Sequence, residues 1–228
     1  MRRLLWPALS TLAMLAITLS LGVWQVERLH WKLGVLADID RAEASPPVPL
    51  PAAPAPFEPA PFEKVEVSGR MRDDLAVRYG SEVRTTLSGP TLGAQLVTPL
   101  ERGDADPVLV DRGWVPDGAP PPRDPGEVRV VGYVHPADHA SWFTPKDDPA
   151  ARRFWTLDPA AIGAALGLPR VAPFILVALG PGDGPGPQPA HALPRPPNDH
   201  LGYAITWFGL AACLVGVFAA YAWKTLRQ

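Results

Sequence analysis

Two unbroken apolar runs, Leu4 to Val26 and Leu201 to Trp223, contain no charged residue. Each exceeds the roughly 20 apolar residues needed to cross a bilayer core, which predicts two spanning helices. A cleaved signal peptide would carry a shorter apolar region of about 7 to 15 residues and a small-x-small cleavage site. Only Thr18-Leu19-Ser20 approaches that pattern, so the first run is expected to remain as an anchor. Its helical periodicity continues from Glu27 to Ala44 and then stops. Residues 45 to 61 hold eight prolines, which lack the N–H groups that a helix or sheet needs, and predict an extended strap or spacer.

The pattern changes between residues 62 and 180. Alternation over Lys64 to Ser68, and β-branched runs at Gln95 to Leu100, Val108 to Val115, Val128 to Val134 and Phe174 to Leu179, predict strands. One helix is expected over Ala160 to Leu166, with Asp158 as N-cap, Pro159 in the first helical position and Gly167 closing it. The expected architecture is an α+β membrane protein. Two terminal transmembrane helices flank a mostly antiparallel β domain, open sheet or small barrel, that carries a short helix. In order along the chain these are a tail (1–3), a span (4–26), a helical extension (27–44), the strap (45–61), the β domain (62–180), a Pro/Gly-rich linker (181–200), a second span (201–223) and a tail (224–228).

Two spans place both tails on one side, and charge bears on which side that is. All 23 acidic residues lie between the spans with 17 of the 21 basic ones, a formal charge of −6. No basic patch suggests nucleic acid. Arg2, Arg3, Lys224 and Arg227 flank the spans on the tail side, and Arg28, Lys32, Arg41 and Arg195 flank them on the other. The paired arginines beside the first span tip the positive-inside balance towards cytoplasmic tails. The single cysteine, Cys213, lies within the second span, which excludes a disulfide in the domain.

Enzyme motifs are missing. The sequence has no G-x-S-x-G elbow, Walker loop, H-E-x-x-H or C-x-x-C, and the glycines of 180–186 are interrupted by proline. The three methionines are scattered, unlike a soft copper site. His135 and His139 are four apart, but Pro136 between them points to a turn with two loop histidines. The membrane boundaries carry more. His200, Tyr203, Ala204 and Trp207 recur at helical spacing at the start of the second span, and Trp24 precedes Arg28 by four residues in the first. These residues read either as an interfacial aromatic belt or as a grip on a flat, apolar ligand held between the helices, with an imidazole for a metal and cations for acidic groups.

The same residues carry a family likeness. Leu21-Gly22-Val23-Trp24-Gln25-Val26-Glu27-Arg28 followed by Trp31-Lys32 resembles the first-helix exit of the Surfeit locus protein family, assembly factors of cytochrome c oxidase. Val65-Glu66-Val67-Ser68-Gly69 and Thr98-Pro99-Leu100 resemble its V-x-V-x-G and T-P-L segments, and Val108 to Pro116 its V-L-V-N-R-G-W-V-P. Val128-Arg129-Val130-Val131-Gly132 and Trp155-Thr156-Leu157-Asp158 are similar to the segments that follow. Asn198 to Phe208 resembles N-N-H-L-x-Y-A-x-T-W-F. Asp111 and Asp199 replace the commoner asparagines, and the proline strap is longer and richer in alanine than the family pattern.

The resemblance implies a non-enzymatic role in maturing the oxidase's catalytic subunit by assisting insertion of haem a, with haem A synthase as a second partner. It also implies a bacterial inner membrane location with the domain in the periplasm. His200 maps onto the family's proposed haem ligand. On this reading His200 is the axial ligand, Trp24, Tyr203 and Trp207 cover the macrocycle, and Arg28 or Lys32 pairs with the propionates. His30, on the extension of the first helix, is the rival ligand. The alternative is a scaffold that contacts the nascent oxidase without holding haem, with Arg112 and Trp114 as interface anchors; those two residues equally suit a core tryptophan beside a salt-bridged arginine.

Overall fold

In the computed structural model, residues 2–51, 60, 62–120, 122–123, 126–182 and 186–227 are described. Most of the proline strap (52–59 and 61) and the middle of the second linker (183–185) lie outside them. The described chain divides into two compact units, one formed by residues 1–40 and 194–228 and the other by residues 41–193.

The first unit is helical. Helix α1 runs Arg2–Ala44 without a break, about 64 Å at 1.5 Å per residue, and its apolar run is long enough to cross a bilayer. The other spanning helix, His200–Leu226, is α3. Less exposed residues of α1 recur at Thr11, Leu15, Thr18, Gly22 and Gln25, an alternation of four and three that continues past the start of the second long helix at Leu29, Lys32, Leu36 and Ile39. Those of α3 are His200, Ala204, Trp207, Ala211, Leu214, Phe218, Ala222 and Thr225. Such 3.5-residue seams are how two helices pack at a shallow angle. Small residues sit along them, as lipid-embedded helix pairs require for close approach. Within the two apolar runs the remaining faces are mostly apolar and exposed, as a lipid solvent permits.

The second unit is built from β1 (Val48–Pro49), β2 (Lys64–Met71), β3 (Val77–Thr86), β4 (Gly89–Arg102), β5 (Ala105–Pro116), β6 (Glu127–Pro136), β7 (Arg153–Phe154) and β8 (Phe174–Ala178), with helix α2 (Pro159–Ala165) before β8. The strand order is β1-β2-β6-β8-β5-β4-β3-β7, and β2 also pairs with β4. That extra pairing, Arg70 with Glu101 and Met71 with Leu100, closes β2, β6, β8, β5 and β4 into a ring. Four of the five pairings in the ring are antiparallel, and β5 with β8 is parallel. The structure is therefore the mostly antiparallel domain with a short helix that the sequence predicts, in its barrel form. Irregular register between Gln95 and Val97 and between Leu100 and Arg102 bends β4, as bulges do in small barrels.

Two hydrophobic clusters explain the continuous apolar runs. Val108, Val110, Phe174 and Leu176 join one cluster with Val65, Val67 and Leu100. Their neighbours Leu109 and Ile175 join the other with Val77, Phe154 and Ile162 of α2. Strands β5 and β8 are thus buried on both faces, which removes the polar alternation seen in half-exposed strands. Helix α2 is capped as expected: the Asp158 carboxylate accepts from the amides of Ala160 (2.9 Å) and Ala161 (3.3 Å), and Gly167 closes it at φ +72°. Asp158→Ala should destabilise the domain by about 1 kcal/mol. A thermal unfolding curve of the full protein in detergent checks this, and an unchanged midpoint counts against the cap.

The strap departs from expectation at its start. Proline was expected to keep it out of any sheet, yet Val48 and Pro49 pair in parallel with Val65 and Glu66. Pro49 needs no N–H there, because Leu50 supplies the next donor, 2.8 Å from the Glu66 carbonyl.

The Arg-Gly-Trp segment of β5 is structural. Trp114 is 1% exposed, and its indole N–H donates to the Glu82 carbonyl at 3.1 Å. Arg112 pairs with Asp73 at 2.8 Å, both side chains largely buried. Gly113 has φ +106°, and a Cβ there would lie 1.9 Å from the Gln188 carbonyl oxygen. The second linker packs at this point, with Trp114 and Gln188 exchanging backbone hydrogen bonds of 3.0 and 2.9 Å. Asp111 is buried beside it, and burial pushes its carboxyl up to about 6, against a 2.9 Å hydrogen bond from the Gly113 N–H.

Candidate functional site

The helical unit assembles a polar site at the start of α3. The apolar run beginning at Leu201 sets α3 across the bilayer, so His200, in its first turn, falls at the boundary. Seam spacing turns it towards α1. Its Nδ1 lies 2.7 Å from Oε1 of Gln25, and Gln25 is only 8% exposed. The amide oxygen only accepts, so the imidazole donates from Nδ1, and in the neutral ring the other nitrogen, Nε2, keeps the lone pair.

Close approach of the helices is secured one turn deeper. A Cβ on Gly22 would stand 2.8 Å from the Phe208 ring. Only glycine lets that ring rest on the α1 backbone. Ala204, buried between the levels of His200 and Phe208, keeps the seam narrow from the other side. The contacts of Gly22 with Phe208 and Gln25 with His200 show α1 and α3 running antiparallel. They account physically for two otherwise separate motifs, Leu-Gly-Val-Trp-Gln and His-Leu-Gly-Tyr-Ala-Ile-Thr-Trp-Phe.

The other expected site residues divide. Trp207 is half-buried on the α3 seam, two turns below His200. Trp24 and Tyr203 are 52% and 58% exposed on the lipid-facing flanks. Arg28 is exposed and stacks on Trp31, its guanidinium 3.8 Å from the ring centroid, with the Lys32 ammonium 5.9 Å from the same ring. His30 is exposed and off the seam. Only His200 and Trp207 of the expected set share the interface, and Gln25 joins them. Gln25 escaped the sequence reading because it sits inside an apolar run. Its register with Thr18 and Gly22, at spacings of four and three, was the available signal.

The site chemistry suits an imidazole-ligated group. Neutral imidazole is a common protein donor to haem iron, and a ligating histidine almost always donates its second N–H to an acceptor, as His200 does to Gln25. Two residues before His200, the Asn198 side-chain oxygen is buried without a hydrogen-bond partner; a hydroxyl or water donor would satisfy it. Among the described residues, no three His, Cys, Asp or Glu side chains cluster to hold a bare metal ion. His135 bonds its own neighbour's carbonyl, Nδ1 lying 2.7 Å from the Pro136 oxygen. Arg112 and Trp114 are engaged within the domain as described, so they are not free to serve as interface anchors.

Two spanning helices joined along a seam and bracketing a β-barrel domain define a membrane-anchored protein with its polar site at a bilayer boundary. Residues 12–212 match the SURF1 family. The chain belongs to that family. It is 30% identical to Surfeit locus protein 1 of Mus musculus, over 91% of this chain and 71% of the mouse protein. A SURF1-like protein of Drosophila melanogaster is also 30% identical, over 86% of this chain and 71% of its own length. A SURF1-like protein of Rickettsia conorii is 28% identical, over 90% of this chain and 86% of its own. No solved structure matches the chain.

Proposed function

We propose that this protein is an assembly factor of cytochrome c oxidase that assists insertion of haem a into the catalytic subunit, and that haem a binds at His200. Family membership supports the assembly role. The observation that carries the haem reading is the His200 imidazole, tethered through Nδ1 to Gln25 of the other helix and so offering Nε2 as a donor at the depth where an apolar macrocycle enters from lipid. Trp207 lies along the same seam, Trp24 and Tyr203 flank it, and Arg28 and Lys32 supply cations on the domain side for propionates. When bound, the haem supplies the iron; the protein supplies binding and orientation and turns over no substrate. The location proposed is a bacterial inner membrane with the barrel in the periplasm, supported by Arg2 and Arg3 at the opposite end of the first span.

The test is a visible spectrum of the full protein purified from cells that make haem A. A stoichiometric Soret band with the red-shifted band of haem a is expected. His200→Ala should reach normal membrane levels, because the apolar run from Leu201 is intact, while haem binding weakens and the spectrum changes. A wild-type spectrum in His200→Ala, with loss in His30→Ala, would reject the assignment.

A second reading, a scaffold contacting the nascent oxidase and haem A synthase without holding haem, has its own supporting feature. Trp142 and Phe143 are 95% and 72% exposed at the tip of a turn closed by Ser141 and Thr144. They pack edge to face with ring centroids 5.4 Å apart. Exposed aromatics on a pre-ordered turn are typical anchors for a protein partner. Protein made with haem A available but purified without haem would favour this reading.

A further inference from the structure

We propose that Gln25 is the positioning residue of the site: it fixes the His200 tautomer so that Nε2 is the unprotonated, ligating nitrogen, and as a neutral amide it leaves that nitrogen a weak, releasable donor. The second half rests on the haem reading above; the first does not.

Gln25 is the one carboxamide within the first apolar run, and it is buried against the partner helix. An amide buried between two helices must find a partner, since the packing keeps water from solvating it. The partner found is the imidazole at 2.7 Å. Because Oε1 has no hydrogen to give, the neutral imidazole makes this short contact only as the Nδ1–H tautomer. An exposed histidine in water prefers no single arrangement so strongly; here one side chain selects it.

The identity of the acceptor matters as much as its presence. Resident metal sites commonly place a carboxylate behind the ligating histidine, which raises the basicity of the metal-bound nitrogen and tightens the bond. A carboxamide accepts the same hydrogen bond with no net charge. The donor is oriented just as well but is less electron-rich. That combination suits a protein that holds a ligand and then gives it up, and it avoids placing an ionised carboxylate in the span. Thr18, the other buried polar residue of the α1 seam, is already satisfied within α1, its hydroxyl bonding the Met14 carbonyl at 3.0 Å. Gln25 is thus the side chain of this seam that reaches across to His200.

The experiment uses full-length protein in lipid nanodiscs, labelled with 15N-histidine, with His200→Ala identifying the His200 resonances among the five histidines. Apo wild type should show His200 as the Nδ1–H tautomer. Gln25→Leu, which leaves the span apolar and inserted, should lose that preference, and Gln25→Glu should restore it. An Nε2–H tautomer in wild type, or an unchanged tautomer in Gln25→Leu, overturns the positioning role. The same proteins loaded with haem a are then mixed with an apo-globin acceptor. Gln25→Leu should bind haem about 10 to 100-fold more weakly, and Gln25→Glu should release it about 10-fold more slowly than wild type. Equal release from wild type and Gln25→Glu overturns the role of the neutral amide. If the tautomer result holds while wild type takes up no haem at all, the haem reading and the release half fall together and the tautomer assignment stands.

Discussion

Gly113→Ala should destabilise the barrel domain by about 3 to 5 kcal/mol. Three costs combine. The backbone at φ +106° is one that an L side chain adopts only under strain of roughly 1 to 3 kcal/mol. The added carbon would sit 1.9 Å from the Gln188 carbonyl oxygen and 2.2 Å from its carbon. Both are backbone atoms, so no side-chain rotation relieves the clash and the linker must lift. Lifting it breaks the two hydrogen bonds between Trp114 and Gln188, at about 1 kcal/mol each, and wets one side of a buried tryptophan. Gly118→Ala is the matched control: φ is +83°, but nothing lies within 4 Å of the added carbon. It should show the strain cost alone. Thermal unfolding of the two variants in detergent, with hydrogen exchange at the Gln188 amide, separates strain from clash; equal loss in both would sink the docking argument.

The second large effect concerns pH. Burial raises the Asp111 carboxyl to about 6 in the folded protein, against about 3.9 in an unfolded chain. The folded state therefore holds its proton more tightly. Below about pH 4 the group is protonated in both states and costs nothing through this route. As pH rises towards 6 the unfolded chain ionises first, and stability falls. Above about 6 the loss levels off at roughly 2 to 3 kcal/mol. Asp111→Asn keeps an oxygen for the Gly113 N–H, 2.9 Å away in the native protein, and removes the ionisation. The variant should match wild type near pH 4 and exceed it by up to about 3 kcal/mol at pH 7.5. Unfolding midpoints across that range provide the check. A parallel pair of curves would mean that the carboxyl titrates normally, and a less stable variant at pH 7.5 would mean that the charge is useful, for instance towards His135 and Arg84, whose fields favour it.

What the sequence disclosed follows from how each segment is solvated. The runs at 108–115 and 174–179 were readable because β5 and β8 bury both faces, and 64–68 because β2 alternates. Strand β3 went unread. Val77–Thr86 is largely half-buried or exposed, contains Gly80, and lies outside the closed ring beside β4, so neither a run nor an alternation marks it. The pairing of Val48 and Pro49 was hidden by the assumption that proline bars a strand, which holds for a central strand but not for an edge that needs no donor at that residue.

His200 stood out because its neighbours form a recognisable motif, and it lies on the seam against Gln25. Trp24 and Tyr203 were grouped with it by helical spacing alone. Residues three apart share a broad face, yet 58% exposure of Tyr203 against full burial of Ala204 shows how narrow the contact line is. Arg112 and Trp114 illustrate the converse ambiguity, since arginine beside tryptophan describes both a binding anchor and a core edge until burial decides.

The bond between Gln25 and His200 joins positions 175 residues apart. At a synthesis rate of about 5 to 20 residues per second, the ribosome needs roughly 9 to 35 seconds to travel between them. Throughout that interval the first helix can already be in the membrane with its glutamine unmatched. The pair is therefore a record of how far synthesis has run: a chain interrupted before His200, however well inserted, presents half a clasp, and only one carried past it and correctly threaded closes it.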